Sequence, residues 1–269
     1  MIVGVFHQGS GLGNQLHRYV ATRVRAADLG VDWGMLYNPD GSGKVEGFKG
    51  SSFIDISQEK IFIQTSITNT WNEKKVVENG VDIRSYDPEF NFIEDNTIID
   101  GEFQDPRYFE HRMDEVTQWL SPNRAYVDNE DWCLIGFRGG EFSLYPDLFL
   151  TPEYWQEGIS KMLEINPKMK FEVQTDDPEL ARQLFPDFGI VSNIGENWKK
   201  MRGFKYAIIA NSSFYILPRL IRHHDKIPYR KGDPSGKRPP ITIAPRYWGR
   251  RNTKVWSLPQ NYYKDFLYI

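Results

Sequence analysis

A glycine-rich turn near the start of the chain has the residue types of an anion-binding site. Gly9, Gly11 and Gly13 stand between a short apolar run and a segment with helical spacing. Glycines at such a junction let backbone N–H groups approach an anion, and the helix N-terminus adds a favourable dipole. The turn also matches part of a dinucleotide fingerprint, with Asp32 in place for a ribose hydroxyl, but Asn14 replaces the third glycine. The alternative is a tight turn that binds no ligand.

An arginine that follows a second apolar run could bind a diphosphate. Arg138 comes directly after residues 132–137 and is followed by two glycines and Glu141. The planar guanidinium presents several N–H donors in a fixed fork, which suits phosphate oxygens. The alternative interpretation is an exposed ion pair between Arg138 and Glu141, which needs no function.

Two further groups of polar residues follow apolar runs. Asp176 and Asp177 could bind a metal ion, or accept hydrogen bonds from the N–H and O–H groups of a base or sugar. Their alternative role is to cap the helix that the following residues predict. Asn211, Ser212 and Ser213 supply hydroxyl and amide groups that could hold a phosphate, or could simply cap a short helix.

Alternating strand and helix signals place these residues at the ends of strands. The second half predicts strands at 132–137, 170–174, 189–191, 206–210 and 241–244, with helices at 152–165 and 178–185. The first half begins with a strand at 2–6 and a helix at 14–29 that Gly30 ends. This alternation is typical of an α/β protein with parallel sheets, in which ligands bind beyond the carboxyl ends of the strands.

The middle of the chain gives a weaker pattern. Residues 38–100 mix Gly, Ser and Asn with short β-rich runs such as 60–67, and no element is assigned there. Turn residues at 121–124 predict a boundary between an N-terminal lobe, residues 1–125, and a C-terminal lobe, residues 126–269. We expect two Rossmann-like lobes that face a cleft, and a surface loop over the proline-rich residues 225–240.

Composition excludes several classes of protein. The chain has 269 residues, 40% of them hydrophobic, and a formal net charge of −3. A single cysteine, Cys133, allows no internal disulfide and is expected in the core. No run approaches the ~18 apolar residues of a membrane span, and no leader pattern is visible, so we expect a cytoplasmic protein. The acidic balance argues against non-specific binding of nucleic acid.

Several motifs in a fixed order carry a resemblance to a known family. They are residues 11–16, Phe103-Gln104, Tyr108-Phe109, Arg138, Thr175-Asp176-Asp177, Asn211-Ser212-Ser213-Phe214 and Ile243-Ala244-Pro245-Arg246-Tyr247-Trp248. Together they resemble the alpha-1,2-fucosyltransferase family, within the wider group that also contains alpha-1,6- and protein O-fucosyltransferases. The resemblance covers most of the chain outside residues 38–100.

The resemblance implies an inverting transferase of the GT-B type that uses GDP-fucose without a metal ion or other cofactor. It also implies a division into an N-terminal acceptor-side lobe and a C-terminal lobe that binds the nucleotide sugar. In this family a glycine–asparagine–glutamine loop contributes to the donor site, and here it corresponds to Gly11, Gly13, Asn14 and Gln15. Asn14 is therefore expected among the catalytic residues.

The remaining donor-site roles fall in the second half of the chain. The resemblance assigns the donor phosphates to Arg138 and to the hydroxyls of Ser212 and Ser213, beside Asn211, and it assigns guanine recognition to Asp176 or Asp177. The family motif His-x-Arg-Arg-x-Asp is altered here, because its histidine and second arginine are absent and Glu141 replaces its aspartate.

The acceptor side is less defined. Glu102, Gln104 and Asp105 are candidate acceptor-side residues, and Glu141, Glu102 or Asp105 could serve as the base for the acceptor hydroxyl. The partners expected are therefore GDP-fucose, or a related nucleotide sugar, and a glycan. Two other interpretations remain open: an NAD-dependent oxidoreductase, which rests on the glycine turn and Asp32, and a non-catalytic carbohydrate-binding module, which the altered arginine motif suggests.

Overall fold

The computed structural model describes residues 1–38, 47–56, 58–74, 76–78, 81–83, 85–120, 130–146, 148–224, 239–246 and 263–269. The chain divides into two compact units, Met1–Pro122 and Asn123–Ile269. Each unit contains a parallel sheet and helices, which confirms the predicted α/β class. The expected boundary at 121–124, and residues 225–238 of the expected loop, lie outside the described residues.

The first unit, Met1–Pro122, has a five-stranded parallel sheet and a separate antiparallel pair. Its strands are β1 Ile2–His7, β2 Trp33–Asn38, β3 Ile61–Phe62, β4 Asn69–Asn72, β5 Val76–Glu78, β6 Val81–Ile83 and β7 Thr97–Asp100, and its helices are α1 Leu12–Leu29 and α2 Met113–Leu120. The sheet order is β3-β2-β1-β7-β4, and β5 pairs with β6. The most buried strand, β1, lies at its centre.

Helix α1 packs closely against β1 and has well-defined ends. A Cβ atom at Gly4 would lie 2.8 Å from Met35 and still closer to Thr22, so glycine is required where the helix crosses the strand. At the other end Gly30 has φ 67°, and its N–H lies near the carbonyls of Ala26 and Ala27. The predicted helix is thus confirmed, with its start two residues earlier, at Leu12.

An aromatic cluster forms the core beside β4 and β7. The Phe103 ring lies 6.2 Å from Trp71, 5.8 Å from Phe90 and 5.3 Å from Tyr108, measured between ring centroids. Phe103 has φ 48°, a conformation that a bulky residue rarely adopts. Because its ring is fully buried in this cluster, packing holds the backbone in that conformation.

The second unit, Asn123–Ile269, has a six-stranded, fully parallel sheet. Its strands are β8 Trp132–Phe137, β9 Lys170–Thr175, β10 Gly189–Val191, β11 Tyr206–Ile209, β12 Ile241–Ala244 and β13 Phe266–Tyr268, and its helices are α3 Pro152–Ile165, α4 Pro178–Leu184, α5 Ile194–Gly203 and α6 Ser213–His224. The order is β10-β9-β8-β11-β12-β13. The alternation predicted for this half is confirmed, while α5 and β13 were not predicted.

The core of this unit surrounds the central strands β8 and β11. Cys133 on β8 is fully buried, as expected, and burial raises the pKa of its thiol. Helix α6 continues through Pro218, and the next residue, Arg219, has no exposed surface. Its guanidinium donates to the carbonyls of Met201 (2.9 Å) and Phe204 (2.7 Å), which satisfies a buried charge with backbone oxygens. Burial lowers the pKa of Arg219 to about 9, and the positive charge of Arg222 makes a smaller contribution in the same direction.

Candidate functional site

Three of the predicted donor-site motifs lie at one edge of the second sheet. Arg138 follows β8, Asp176 follows β9, and Asn211 comes two residues after β11. The strand β8 lies between the other two, with Phe137 opposite Thr175 and Gly136 opposite Ile209. All three motifs therefore stand beyond the carboxyl ends of adjacent parallel strands, where α/β proteins bind ligands.

Arg138 contacts two carboxylates at this edge. Its Nη1 donates to Oδ2 of Asp176, and its Nη2 lies 3.2 Å from Oε1 of Glu141. The guanidinium also stands 5.3 Å from the ring centroid of Phe142. The predicted pair with Glu141 is thus present, but Asp176 is a second partner from the neighbouring strand.

Two glycines allow the chain after β8 to approach these acids. The Gly139 N–H donates to Oδ1 of Asp176 at 3.0 Å, and a Cβ atom at Gly139 would lie 2.6 Å from the Cβ of Asp177. Gly140 has φ 24°, and a Cβ there would collide with the Asp176 carboxylate. Glycine at positions 139 and 140 is therefore needed to hold Asp176 against Arg138.

The adjacent acids have separate roles. Asp177 caps α4, because its Oδ1 accepts a hydrogen bond from the N–H of Leu180 at 3.1 Å. The N–H of Asp177 itself donates to the Thr175 hydroxyl at 2.9 Å. Capping therefore occupies Asp177, and Asp176 is the acid that faces Arg138.

The turn after β11 holds a neighbouring loop and leads into helix α6. The side-chain NH₂ of Asn211 donates to the Leu148 carbonyl at 3.1 Å, so this amide holds a neighbouring loop. Its Oδ1 is buried and has no hydrogen-bond partner among the described residues. Ser212 is 8% exposed, and Ser213 is the first residue of α6, so both lie at a helix N-terminus.

Tyr215 joins the ends of β8 and β9 at this edge, a role that the sequence did not predict. Its hydroxyl lies 3.1 Å from the carbonyl of Phe137 and 3.1 Å from that of Gln174. Burial raises the pKa of the phenol, which therefore stays protonated and can donate. The Tyr215 hydroxyl therefore satisfies backbone oxygens of β8 and β9.

The glycine turn of the first unit leads into the N-terminus of α1. Gly9 has φ 75° and needs glycine for this reason, whereas Gly11 has φ −65° and a Cβ on it would meet nothing within 4 Å. Gly13 lies inside α1, and its carbonyl is 2.8 Å from Nδ1 of His17. Gly11 thus has open space around it, which a ligand could use.

The amides of this turn fix neighbouring segments. Oδ1 of Asn14 accepts a hydrogen bond from Nε2 of Gln104 at 3.1 Å. Gln15 is buried, and its Oε1 accepts a hydrogen bond from the N–H of Lys49 at 3.0 Å. The structure therefore brings Asn14 together with Gln104, which the sequence predicted on the acceptor side, while Gln15 holds the segment after β2.

Asp32, the acid expected at a dinucleotide site, lies at the opposite end of the sheet from the glycine turn. Asp32 immediately precedes β2, and the register pairs Trp33 with Ile2 at the amino end of β1. The glycine turn lies beyond the opposite end of β1, past His7. Asp32 is bound by Lys60 instead, through contacts of 2.5 and 2.7 Å, and these lower its pKa. The sequence-based placement of Asp32 at a ribose was wrong.

Two candidate bases of the first unit are occupied by other contacts. Asp105 is 1% exposed and accepts hydrogen bonds from the N–H groups of Tyr86 (2.6 Å) and Arg107 (2.8 Å). One oxygen of Glu102 lies 2.8 Å from Arg18, and the other is buried without a hydrogen-bond partner among the described residues. Neither carboxylate presents a free, accessible oxygen.

A histidine that sequence reasoning set aside pairs with an aspartate of this unit. Nε2 of His7, the last residue of β1, lies 2.8 and 3.1 Å from the two carboxylate oxygens of Asp100, the last residue of β7. Burial by itself would raise the pKa of Asp100. His7 and Arg18 together lower this pKa by more than burial raises it, so it lies below its ordinary value. The position of His7 at a strand end was the available signal, but its partner lies in a stretch where no strand was predicted.

Neither sequence comparison connects the chain to a known group: no protein-family model matches it, and no curated protein matches it significantly. Within the described part of the chain, no cluster of three or more His, Cys, Asp or Glu residues is arranged to hold a metal ion. No helix of the described ranges has the length and apolar character needed to cross a membrane.

Proposed function

We propose that this protein is an inverting glycosyltransferase of the GT-B type that transfers L-fucose from GDP-fucose to a hydroxyl of a glycan. One observation carries the proposal: Arg138, Asp176 and the turn Asn211, Ser212 and Ser213 all lie beyond the carboxyl ends of three adjacent parallel strands. A nucleoside diphosphate needs a cation and N–H or O–H donors for its phosphates, and an acceptor for its base. The second unit offers all of these at one edge.

Arg138 can bind an anion without losing both of its present partners. Its two hydrogen bonds use one N–H on each terminal nitrogen, so three of its five N–H groups have no hydrogen-bond partner among the described residues. Glu141 is 67% exposed and 3.2 Å away, so a diphosphate can displace it at small cost. Asp176 is held by the Gly139 N–H as well and stays in place.

Departure of the nucleotide places negative charge on its β-phosphate, and donors aimed at that oxygen lower the barrier. In the proposal Arg138 and the hydroxyls of Ser212 and Ser213 supply those donors, beside the N-terminus of α6. Asp176 accepts the paired N–H groups that guanine, and not uracil, presents. The nucleotide sugar is then bound by residues of the chain, with no metal ion required.

Calorimetric titration with GDP, UDP and NAD tests the donor class. We expect GDP to bind with and without EDTA, more tightly than UDP, and NAD not to bind. Binding of NAD alone would favour an oxidoreductase, although the position of Asp32 argues against one. Loss of GDP binding in EDTA that manganese restores would refute the metal-independent mechanism.

A transfer assay with GDP-fucose and a panel of glycans tests the activity itself. We expect a fucosylated product and free GDP in equal amounts, and a product of opposite anomeric configuration to the donor. GDP binding without transfer to any glycan of a broad panel would instead favour the carbohydrate-binding module.

A further inference from the structure

Helix α3 and the segment that follows α4 enclose a cavity in the second unit. Its volume is about 150 Å³, and its lining includes Trp155 and Ile159 of α3 and Leu184 at the end of α4. Neither Arg138 nor Asp176 is among the described residues that line it. The cavity is therefore separate from the candidate site at the edge of the sheet.

Aromatic rings form the buried wall of the cavity. Trp155 is 2% exposed and Phe185 is 5% exposed, and their ring centroids lie 5.8 Å apart. The Phe188 ring stacks on that of Phe185 at 6.1 Å. The Phe137 ring lies 5.7 Å from Trp155 and 5.6 Å from Phe185. Rings that neighbours hold on several sides have little freedom to turn into the space, so the cavity is largely preformed.

The cavity lies where α4 ends. The last turn of this helix closes with a hydrogen bond from the N–H of Phe185 to the carbonyl of Ala181, at 2.8 Å. Pro186 comes next and has no N–H to donate to a helical hydrogen bond. The N–H of Phe188 donates to the Phe185 carbonyl at 3.2 Å, which closes a turn before β10. The aromatic wall of the cavity is therefore fixed by the backbone of this turn.

The mouth of the cavity is formed by exposed residues that include one charge. Pro152, Gln156, Pro186 and Asp187 line the cavity and are exposed, so it opens to solvent. Asp187 is the only charged residue in the described lining, and no described residue forms an ion pair with it. An unpaired carboxylate attracts a cation and repels an anion, and aromatic faces act in the same direction. The cavity therefore favours a positively charged ligand.

The volume limits the apolar part of a ligand to one ring. An engineered apolar cavity of about 150 Å³ in another protein binds benzene. The cavity here has the same volume and a similar lining of aromatic and aliphatic side chains. One six-membered ring therefore fills it, and a polar group of the ligand must lie at the mouth, near Gln156 and Asp187.

We propose that this cavity is a binding site for a small arylalkylamine, a ligand class that the proposed transferase reaction does not use. The aromatic ring of the ligand contacts Trp155, Ile159 and Phe185. Its ammonium group lies at the mouth, where the Asp187 carboxylate and the side-chain carbonyl of Gln156 accept hydrogen bonds. The site uses only residues of the second unit, and it stands whether or not the protein transfers fucose.

Three probes that share one ring test the ligand class: benzylamine is cationic, benzyl alcohol is neutral and benzoate is anionic. Each is titrated into the ¹⁵N-labelled protein, and the indole N–H signals are followed by NMR. We expect a saturable shift of the Trp155 signal, assigned with Trp155→Phe, and no shift of Trp33 in the first unit. Benzylamine should bind about 2–5-fold more tightly than benzyl alcohol, the range of an exposed ion pair, and benzoate should bind most weakly.

Exchange of the charge at the mouth tests the role of Asp187. Asp187→Asn should bind benzyl alcohol as before but lose the preference for benzylamine. The control is Asp265→Asn, which alters another exposed aspartate of this unit outside the lining and should keep the preference. Gln156→Lys adds a positive charge at an exposed position and should weaken benzylamine binding while it strengthens benzoate binding.

Filling the cavity tests its location. Ile159→Phe adds a ring to the lining and should abolish binding of benzylamine and benzyl alcohol. Leu163→Phe makes a comparable change on the same helix, at a residue outside the lining, and should leave binding unchanged. Melting temperatures show that both variants are folded.

Four outcomes would overturn the inference. If benzylamine gives no saturable shift of the Trp155 signal, the cavity is not a binding site for this class. Benzoate that binds as tightly as benzylamine, or an unchanged preference in Asp187→Asn, would refute recognition of a cation at the mouth. Benzylamine binding that persists in a folded Ile159→Phe protein, or that GDP displaces, would place the ligand outside this cavity.

Discussion

The guanidinium of Arg138 and the carboxylate of Asp176 form a salt bridge between the ends of two neighbouring parallel strands, β8 and β9. Both side chains are partly exposed, at 28% and 29%. The same carboxylate accepts the Gly139 N–H, so the turn after β8 is fixed by an acid from the adjacent strand. A ligand that binds Arg138 therefore meets a guanidinium and a carboxylate that are already held together.

Arg138→Ala and Arg138→Lys test the phosphate role of this side chain. Contacts to a leaving diphosphate strengthen as the bond breaks, so we expect Arg138→Ala to reduce turnover by about 10²–10³-fold, by analogy with loss of one oxyanion donor. Arg138→Lys keeps the charge but loses the fork and should recover only part of the rate. Transfer rates and melting temperatures are measured on both variants.

Arg112 is the matched control for Arg138. It is 27% exposed and also contacts two carboxylates, Asp28 and the residue three positions on, Glu115. Arg112→Ala should change stability by no more than ~1 kcal/mol and leave transfer unchanged. If a folded Arg138→Ala protein keeps normal turnover, Arg138 has only the structural role of an ion-pair partner, as Arg112 does.

Asp176→Asn and Asp177→Asn should affect different properties. Asp176→Asn removes the acceptor for paired N–H groups, so we expect it to weaken GDP binding more than UDP binding in a calorimetric titration. Asn is a good helix cap, so Asp177→Asn should be nearly neutral, whereas Asp177→Ala should lower the free energy of unfolding by ~1 kcal/mol. Equal losses of GDP and UDP affinity in Asp176→Asn would refute base recognition by this acid.

Gly101→Ala tests the close contact between the end of β7 and Glu73. The added methyl group would lie 2.5 Å from the Cβ of Glu73 and 2.9 Å from Phe103, so the chain must shift. We expect a loss of about 1–3 kcal/mol in the free energy of unfolding, measured by denaturant titration. Gly47→Ala is the control, because a Cβ there meets nothing within 4 Å. Similar stabilities for the two variants would contradict the contact.

The buried His17 makes stability depend on pH. Burial lowers its pKa from 6.5 to about 4, against smaller upward effects of the Gly13 carbonyl and Glu102. The unfolded chain therefore binds a proton in this range that the folded protein does not, so stability is lost as the pH falls from about 6.5 towards 4. The loss from this one group is on the order of 3 kcal/mol.

His17→Gln isolates that contribution. The difference in unfolding free energy between this variant and the unaltered protein should shift in favour of the variant by a few kcal/mol on acidification from about pH 7 to 4. His111→Gln removes an exposed histidine and should show a much smaller shift. A constant difference between the His17→Gln and unaltered proteins over this range would show that His17 takes up a proton as readily in the folded protein as in the unfolded chain.

The sequence predicted the second unit well because its strands carry strong local signals. The runs that form β8 and β11 are apolar, and small or turn-forming residues follow them, so both the strands and the polar groups at their ends could be located. By contrast, β3 has two residues and β7 has four, and such short strands are fixed by their neighbours in the sheet.

The candidate site of the first unit depends on contacts between distant parts of the chain. His7 and Asp100 are 93 positions apart, and nothing near either residue indicates the other. The conformation of Phe103 likewise follows from an aromatic cluster that residues from several segments complete. In the second unit, the pairing of Asp176 with Arg138 needed the sheet order, which places β9 beside β8.

Because Cys133 is buried, the rate at which a reagent labels it reports how often the folded protein opens. This thiol is the single one in the chain, it is fully buried on β8, and its raised pKa keeps it in the unreactive thiol form. A maleimide or disulfide reagent can reach it only when the sheet opens, so the labelling rate follows the population of open molecules. Ligands that bind the second unit should therefore slow labelling in proportion to their affinity, and a plate of candidate nucleotides could be ranked without labelling the ligand or assaying turnover.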